Sequence, residues 1–506
     1  MSEDSTPGGP RTPPRTSVVD LAFASWALLI PLLAHDRVLN GDGDLPRHLV
    51  VGEHILQHGP RFADTFSFTR AGEPFLAYEW LSQAVLHLVH RFGGLPAVAA
   101  FAGLLVASAV ALVVVYMLRK PGGDPWLAFM TGTLSAILMG PHLIARPHLF
   151  SFLALPVLLL LLDDERPNVI GIGVLFACWA NLHPGFLYGL AIMGIILAGR
   201  MIEAGLAGDL HRATWLRYAV LVSVAWGASL LNPFGWSLHV HAIQHAANAE
   251  LLVWVDEFEP LRLRSLYGLL IGALTAAVAA GIWVQRERIP FDALAAFLVG
   301  LAATFAGQRN GPLLAVAGWP MMARSLTPVV TRLPHWFAGP MRRKFKRSHG
   351  RSSKATGGAV LILSVVLLLG GRIGGFAIIP AEFSDEDFPV VAVDRAREAM
   401  LTGRLLSEYT WGGYVLYAWP EQRVFVDSMA DFFGLELLQR YSMMRDAGPL
   451  WRELLRSHDI SLVLLSHEAP LTERLRREAA WELWHEDPTA IIFRRASAPP
   501  EASGAP

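Results

Sequence analysis

The chain is short of charge. Of its 506 residues only 17% are Asp, Glu, Lys or Arg, against 53% hydrophobic. A soluble globular protein carries roughly 25% charged residues, so the deficit points to a chain that buries most of its surface in lipid. No excess of either sign is present: the formal net charge is -1, which removes the electrostatic case for a nucleic-acid partner. Cysteine is nearly absent. Cys178 is alone, in an apolar run, which excludes a disulfide framework and leaves no thiolate or zinc cluster. There is no small-residue cleavage pattern after the first apolar run, so that run is expected to stay as an anchor. A phosphate-cradling glycine loop is missing, and so is any internal repeat.

What is there is a series of long apolar segments. A helix needs about 20 mostly apolar residues to cross a bilayer. Candidate spans lie at 17–35, 95–117, 125–143, 149–163, 168–182, 185–203, 216–233, 265–284, 289–307, 311–324 and 357–378. Those at 149–163, 168–182 and 311–324 are short. Lys and Arg collect in alternate connections, most densely in MRRKFKRSHGRSSK (341–354). The positive-inside rule then puts the N-terminus in the cytoplasm. An odd number of spans puts the C-terminus outside, together with the first long loop. The basic run itself reads as a topogenic loop near anionic lipid. The acidic run Asp163, Asp164 and Glu165 falls on the inner face and reads as a loop.

The polar residues concentrate in residues 40–83, NGDGDLPRHLVVGEHILQHGPRFADTFSFTRAGEPFLAYEWLSQ. Here the pattern predicts a turn and a short amphipathic helix, ended by Gly59-Pro60. An irregular stretch with a turn at Ala71-Gly72 follows, then a second amphipathic helix from about Tyr78, lying at the interface. Other outer helix ends carry polar groups too: Arg146 and His148, Asn181 and His183, Asn232, and Arg309 with Asn310. Ionisable groups near bilayer depth are costly and usually line a cavity or pair with one another. Their recurrence on one side predicts a single polar cavity there. His239, His241 and His245 do not have the spacing of a zinc protease site. Trp236, Trp254 and Trp319 read as interface anchors.

Residues 380–495 change character, with dense charge and alternating strand and helix patterns. RLLSEY (404–409), RVFVDS (423–428), ISLVLLS (460–466), WELWHED and AIIFRR read as strands. GGYVLYAW, 432–457 and PLTERLRREA read as helices. This predicts a small α/β unit, with Asp427 just past an apolar strand where such folds often hold functional groups. The tails 1–16 and 496–506, rich in Pro, Gly, Ser, Thr or Ala, are expected to be disordered.

The order of these features resembles the GT-C superfamily of integral-membrane glycosyltransferases. One helix is followed by a long acidic outer loop with two interfacial helices, then many spans, then an outer soluble unit. The match is nearer to a group of bacterial membrane proteins assigned to that superfamily. It rests on Asp44, His48, Gly52 and Ile55, DTFSFTRAG (64–72) and Glu79-Trp80-Leu81. It continues through RPHLFSF (146–152), NLHPG (181–185), NPFG (232–235), WGGY (411–414) and VFVDS (424–428).

The resemblance implies a mainly α, polytopic fold with about eleven transmembrane helices and a small extracytoplasmic α/β domain. The GT-C-like membrane domain would span 17–379, with its first outer loop at 36–94 and the C-terminal domain at 380–495. It implies transfer of a sugar from a polyprenyl-phosphate donor to a protein, lipid or glycan acceptor at the outer face of the bacterial inner membrane. Asp44 would be the general base, with Asp42 the near alternative because Gly-Asp-Gly-Asp lets either take the site; the family's acidic Asp-Glu motif is not present. His48, Glu79, Arg146, His148, His183 and Arg309 would bind substrate or phosphate. Arg146 has a structural alternative, pairing with a first-loop acid such as Glu79. A divalent cation, Mg or Mn, on Asp44 is a further expectation. Two rival classes are a transporter or flippase, which would need inverted repeats with broken helices, and a non-catalytic scaffold.

Overall fold

The computed structural model describes residues 17–119, 123–164, 166–209, 211–247, 260–285, 289–332, 335–349, 354–369, 372–373, 376–377 and 381–496. Residues 1–16, 497–506 of the expected tail 496–506, Glu165 and Trp254 lie outside the described residues.

The membrane-type part is a helical bundle. Its helices are α1 (Val18–Leu33), α4 (Trp80–Leu118), α5 (Pro125–Met139), α6 (His148–Leu162), α7 (Val169–Leu182), α8 (Phe186–Leu206) and α9 (Arg212–Ser229). They are followed by α10 (Trp236–Ala247), α11 (Leu266–Gln285), α12 (Phe291–Ala306), α13 (Trp319–Ser325), the basic α14 (His335–Ser348) and α15 (Lys354–Leu368). Every apolar segment picked from the sequence contains helix. Among the described residues, three helices are long and apolar enough to cross a membrane: Trp80–Leu118, Phe186–Leu206 and Leu266–Val284. Shorter apolar helices accompany them, including Val18–Leu33, His148–Leu162 and Phe291–Ala306. Large apolar side chains such as Ile170, Leu266 and Trp283 face outward. Exposed apolar side chains of this size on several helices suit a surface that meets lipid.

Between α1 and the span of α4 sits the polar loop. It holds α2 (His35–Asn40), α3 (Asp44–His58) and a hairpin of β1 (Arg61–Ala63) with β2 (Pro74–Leu76). The second interfacial helix is not separate. It runs into the following span as α4, with a kink at Gly94, whose φ of 67° suits a residue without a Cβ.

The C-terminal part begins after a short hairpin, β3 (Arg372–Ile373) with β4 (Phe376–Ala377). Its helices are α16 (Val390–Glu398), α17 (Gly412–Ala418), α18 (Ala430–Arg445), α19 (Trp451–Ser457) and α20 (Pro470–Leu475). A four-stranded sheet of β5 (Arg404–Ser407), β6 (Ile460–Ser466), β7 (Trp481–Glu486) and β8 (Ala490–Arg495) has the order β5-β6-β8-β7. β5 runs parallel to β6, and β8 is antiparallel to both β6 and β7. β6 is apolar almost throughout because helices and loops cover both its faces.

RVFVDS is not a strand of this sheet. Val424 makes only isolated bridges, one to Leu405 and one to Ser67 of the first loop. The reason is competition for its backbone: Val424 N–H donates to Phe66 O, and Val424 O accepts from Phe68 N–H. The expected 432–457 helix is broken between α18 and α19, and PLTERLRREA is helical only over Pro470–Leu475.

The loop and the C-terminal sheet share one hydrophobic core. Val51, Ile55, Phe75, Ala77 and Ala84 cluster with Leu406, Phe425, Phe433, Leu438 and Val463. The polar loop is therefore held between the helix ends and the sheet.

Candidate active site

The site is built from the start of α3. Its first residues bend through Gly41–Gly43, and Asp42 Oδ1 accepts a hydrogen bond from Asp44 N–H at 3.0 Å. This places both carboxylates at a helix N-terminus, where the backbone N–H groups favour negative charge. Arg146 reaches them from the connection between α5 and α6. One guanidinium nitrogen is 3.0 Å from Asp42 Oδ2, and the other bonds Asp44 Oδ2. Arg146 thus pairs with two first-loop acids, Asp42 and Asp44.

Glu79 faces His183, 3.7 Å from its Nε2. Burial pushes the Glu79 carboxyl up to about 8, and the charge of Asp431 adds to the rise. Burial also holds His183 well below the ordinary imidazole value, helped by His148, Arg309 and Arg146. His183 Nδ1 is fixed by Ser151 Oγ at 2.8 Å and by Gly185 N–H at 2.9 Å. Trp179 Nε1 in turn donates to Ser151 Oγ. His148 hydrogen-bonds His142 O at 2.9 Å, and its ring centroid lies 6.5 Å from that of His183. His48 is buried against Gln83, with Nδ1 3.1 Å from Gln83 Nε2. Burial, then the charges of Arg47 and His148, lower it to about 3, so its imidazole is neutral. Arg309 sits in the single turn Gln308–Asn310, and its charge acts on Glu79, His183 and His245. The polar helix ends therefore converge. Arg146 touches the two aspartates directly, His183 touches Glu79, and Arg309 acts on Glu79 and His183 through its field.

Several residues of this region were not singled out as a set from the sequence. Arg47 and Asp427 form a buried ion pair at 3.0 Å, with side chains 5% and 3% exposed. Arg47 also reaches Met429 Sδ. Asp431, four residues past Asp427 in the first turn of α18, lies 3.0 Å from His241 Nε2 of α10. Burial, the largest single influence, raises the Asp431 carboxyl, but the bond to His241 and the charges of His241, His245 and Arg47 together outweigh it and leave it below its ordinary value. Trp80 Nε1 donates to Asn181 Oδ1, and Asn181 Nδ2 donates to Leu231 O. The i, i+4 pair of aspartates in VFVDSMAD was the available signal. Nothing in the sequence says that their partners lie in α3 and α10.

The remaining histidine, His239, bonds Ser229 Oγ at 2.9 Å. Among the described residues, no three His, Cys, Asp or Glu side chains are grouped as a metal site.

No family model matches the sequence, and no curated protein matches it. Solved structures do match. The oligosaccharyltransferase AglB of Archaeoglobus fulgidus, in complex with an inhibitory peptide and a dolichol-phosphate, superposes with a TM-score of 0.58 at 14% identity. The match covers 95% of this chain and 73% of that one. An oligosaccharyltransferase of Archaeoglobus fulgidus tethered to an acceptor peptide gives 0.56 at 13% identity over the same shares. The chain has the GT-C fold. ArnT from Cupriavidus metallidurans, bound to undecaprenyl phosphate, gives 0.52 at 12% identity, covering 94% of this chain and 98% of that one. At such identities the likeness is one of fold, and the chemistry of this chain has to be argued from its own residues.

Proposed function

We propose that this chain is a glycosyltransferase that moves a sugar from a polyprenyl-phosphate donor to an acceptor on the extracytoplasmic face. The observation that carries the reading is the Asp42–Arg146–Asp44 arrangement, set at a helix N-terminus where the outer helix ends meet. Two of the proteins of like fold are described with a polyprenyl-type phosphate bound, which supports a lipid-phosphate donor here.

In this mechanism Asp44 takes the proton from the acceptor hydroxyl or amine as that atom bonds to the sugar's anomeric carbon. The carbon–oxygen bond to the phosphate breaks, and the phosphate leaves on its lipid. Arg146 and Arg309 offset the charge that grows on the phosphate oxygens. Arg146 is held by both aspartates, so an arriving donor phosphate competes for the same guanidinium. Its binding loosens Asp44 at the moment a base is needed. Neutral His48 and His183 donate or accept hydrogen bonds without adding charge, with His148 beside them, and Glu79 positions His183. A divalent ion, Mg or Mn, would find the carboxylates of Asp42 and Asp44 together with donor phosphate oxygens, a common arrangement for Mg. It would supply further neutralisation of the phosphate.

The accompanying topology has about eleven spans, with the N-terminus in the cytoplasm, residues 36–94 and 380–495 outside, and the bacterial inner membrane as the location. The basic connection around α14 on one side and the polar helix ends on the other support that orientation.

The test is transfer from a polyprenyl-phosphate sugar by purified protein. Asp44→Asn should lower the rate by about 10²–10⁴ while donor binding is kept. An undiminished rate overturns Asp44 as the base. Failure of the wild-type protein to bind any polyprenyl-phosphate sugar overturns the transferase reading.

A further inference from the structure

The end of the bundle away from Asp44 is ringed by arginines, and most of them are matched. Arg119 at the end of α4 pairs with Asp164, and Arg324 at the end of α13 pairs with Asp163. Arg200 of α8 pairs with Asp292 at the start of α12, and Arg342 pairs with Asp124 just before α5. The acidic residues read from sequence as a plain loop, Asp163 and Asp164, are therefore part of a charge-matched belt.

Arg343 and Arg347 break this pattern. They lie four residues apart on α14, so they share a face. Among the described residues no carboxylate pairs with either. The opposite face of α14 is fastened to the bundle. Phe345 packs on Phe129 of α5 with centroids 5.3 Å apart, Arg342 holds Asp124, and His349 Nδ1 accepts from Val18 N–H at the start of α1. The helix thus lies across the ends of apolar helices, at the level where a bilayer's headgroups would be. Its outward side, formed by Pro340, Arg343, Lys344 and Arg347, lines an open cavity of about 470 Å³. Met341 beside it is an exposed apolar side chain.

We propose that this cavity is a binding site for the phosphate headgroup of an anionic phospholipid, with Arg343 and Arg347 as its ligands and Lys344 adding charge. A guanidinium pair suits phosphate oxygens because each presents N–H groups in a planar fork. The location favours a lipid over a soluble anion. The helix is fastened across the starts of α1 and α5 and carries an exposed methionine next to the basic face, so a lipid whose headgroup sits on α14 can keep its acyl chains in the bilayer. The site is independent of the transfer chemistry at the other end of the molecule.

Native mass spectrometry of the full chain, titrated with phosphatidylglycerol or phosphatidylcholine, tests this. The wild type should retain a phosphatidylglycerol in preference to phosphatidylcholine. Each lost cation should weaken that binding about fivefold, so that R343A/R347A falls on the order of 25-fold. R343K/R347K keeps the charge but not the fork, and should fall between the two. This conservative pair also carries the test if the alanine pair does not fold. Equal affinity for the two lipids in the wild type overturns the proposal, as does unchanged phosphatidylglycerol binding in the double variants. Displacement of the lipid by equimolar inorganic phosphate overturns the choice of a lipid as the ligand.

Discussion

Arg146 spans two carboxylates that lie only two residues apart, while Arg47, in the same helix as Asp44, faces the other way and meets Asp427. Neighbouring residues of α3 thus serve different ends: Asp44 faces Arg146, and Arg47 anchors the C-terminal part. Arg47 is the more costly to remove. Arg47→Ala leaves a buried, unpaired carboxylate, and the expected loss is about 3–5 kcal/mol. Replacing both partners by apolar residues, as in R47M/D427L, should recover much of it. Thermal or denaturant unfolding in detergent measures both, and equal losses in the two variants would sink this account.

Glu79 makes stability depend on pH. Its folded value is raised from 4.5 to about 8, so between those pH values the folded state holds a proton that the unfolded chain releases. The contribution is fully present below about pH 4.5 and is lost as pH rises through about 8. His48 has the opposite sign. Its folded value is lowered from 6.5 to about 3, so its contribution is present above 6.5 and is lost as pH falls toward 3. In Glu79→Gln the fall in melting temperature between pH 5 and 8 should flatten. An unchanged slope would show that Glu79 titrates like an exposed carboxyl.

At the scale of elements, WGGY explains itself through packing. A Cβ on Gly412 would lie 2.6 Å from Val426 O, and one on Gly413 would lie 2.8 Å from Arg47 Cβ and from Gly43 O. The two glycines let α17 press against α3 on one side and against the 424–428 segment on the other. Gly413→Ala should push α3 away and cost about 1–3 kcal/mol. Faster proteolysis of the α3 region at unchanged helix content is the readout. The DTFSFT element has a comparable role. Asp64 accepts from Phe66 N–H, Ser67 N–H and Ser67 Oγ, which fixes a tight tongue. Thr69 Oγ1 then donates to Phe425 O, and Arg70 Nη2 to Phe433 O. The element is a clasp between the first loop and the C-terminal part, and none of these bonds needs a substrate.

At the scale of the molecule, several connections tie the C-terminal part to the loop and the membrane bundle, among them the shared loop core, the Arg47–Asp427 pair, and His241 with Asp431. The last joins α10 directly to α18. A double-mutant cycle on His241→Ala and Asp431→Ala should give a coupling of about 1–3 kcal/mol. A coupling near zero would mean that the two side chains meet without holding the parts together.

The sequence by itself determined the helical bundle, the polar loop and the mixed α/β character of the C-terminal part. Each is a periodicity or a composition, and both are local. It also marked Asp42, Asp44, Arg146, His183 and Glu79, because polar groups at apolar helix ends stand out against their surroundings. Only the tertiary structure decided who pairs with whom. Arg146 takes both aspartates, and Glu79 meets His183. Val424 gives its backbone to the first loop instead of extending the sheet. Asp431 finds a histidine almost two hundred positions away in the chain. Pairings of this kind depend on which helix ends share a level and which burial leaves a charge uncompensated, and no local pattern records either.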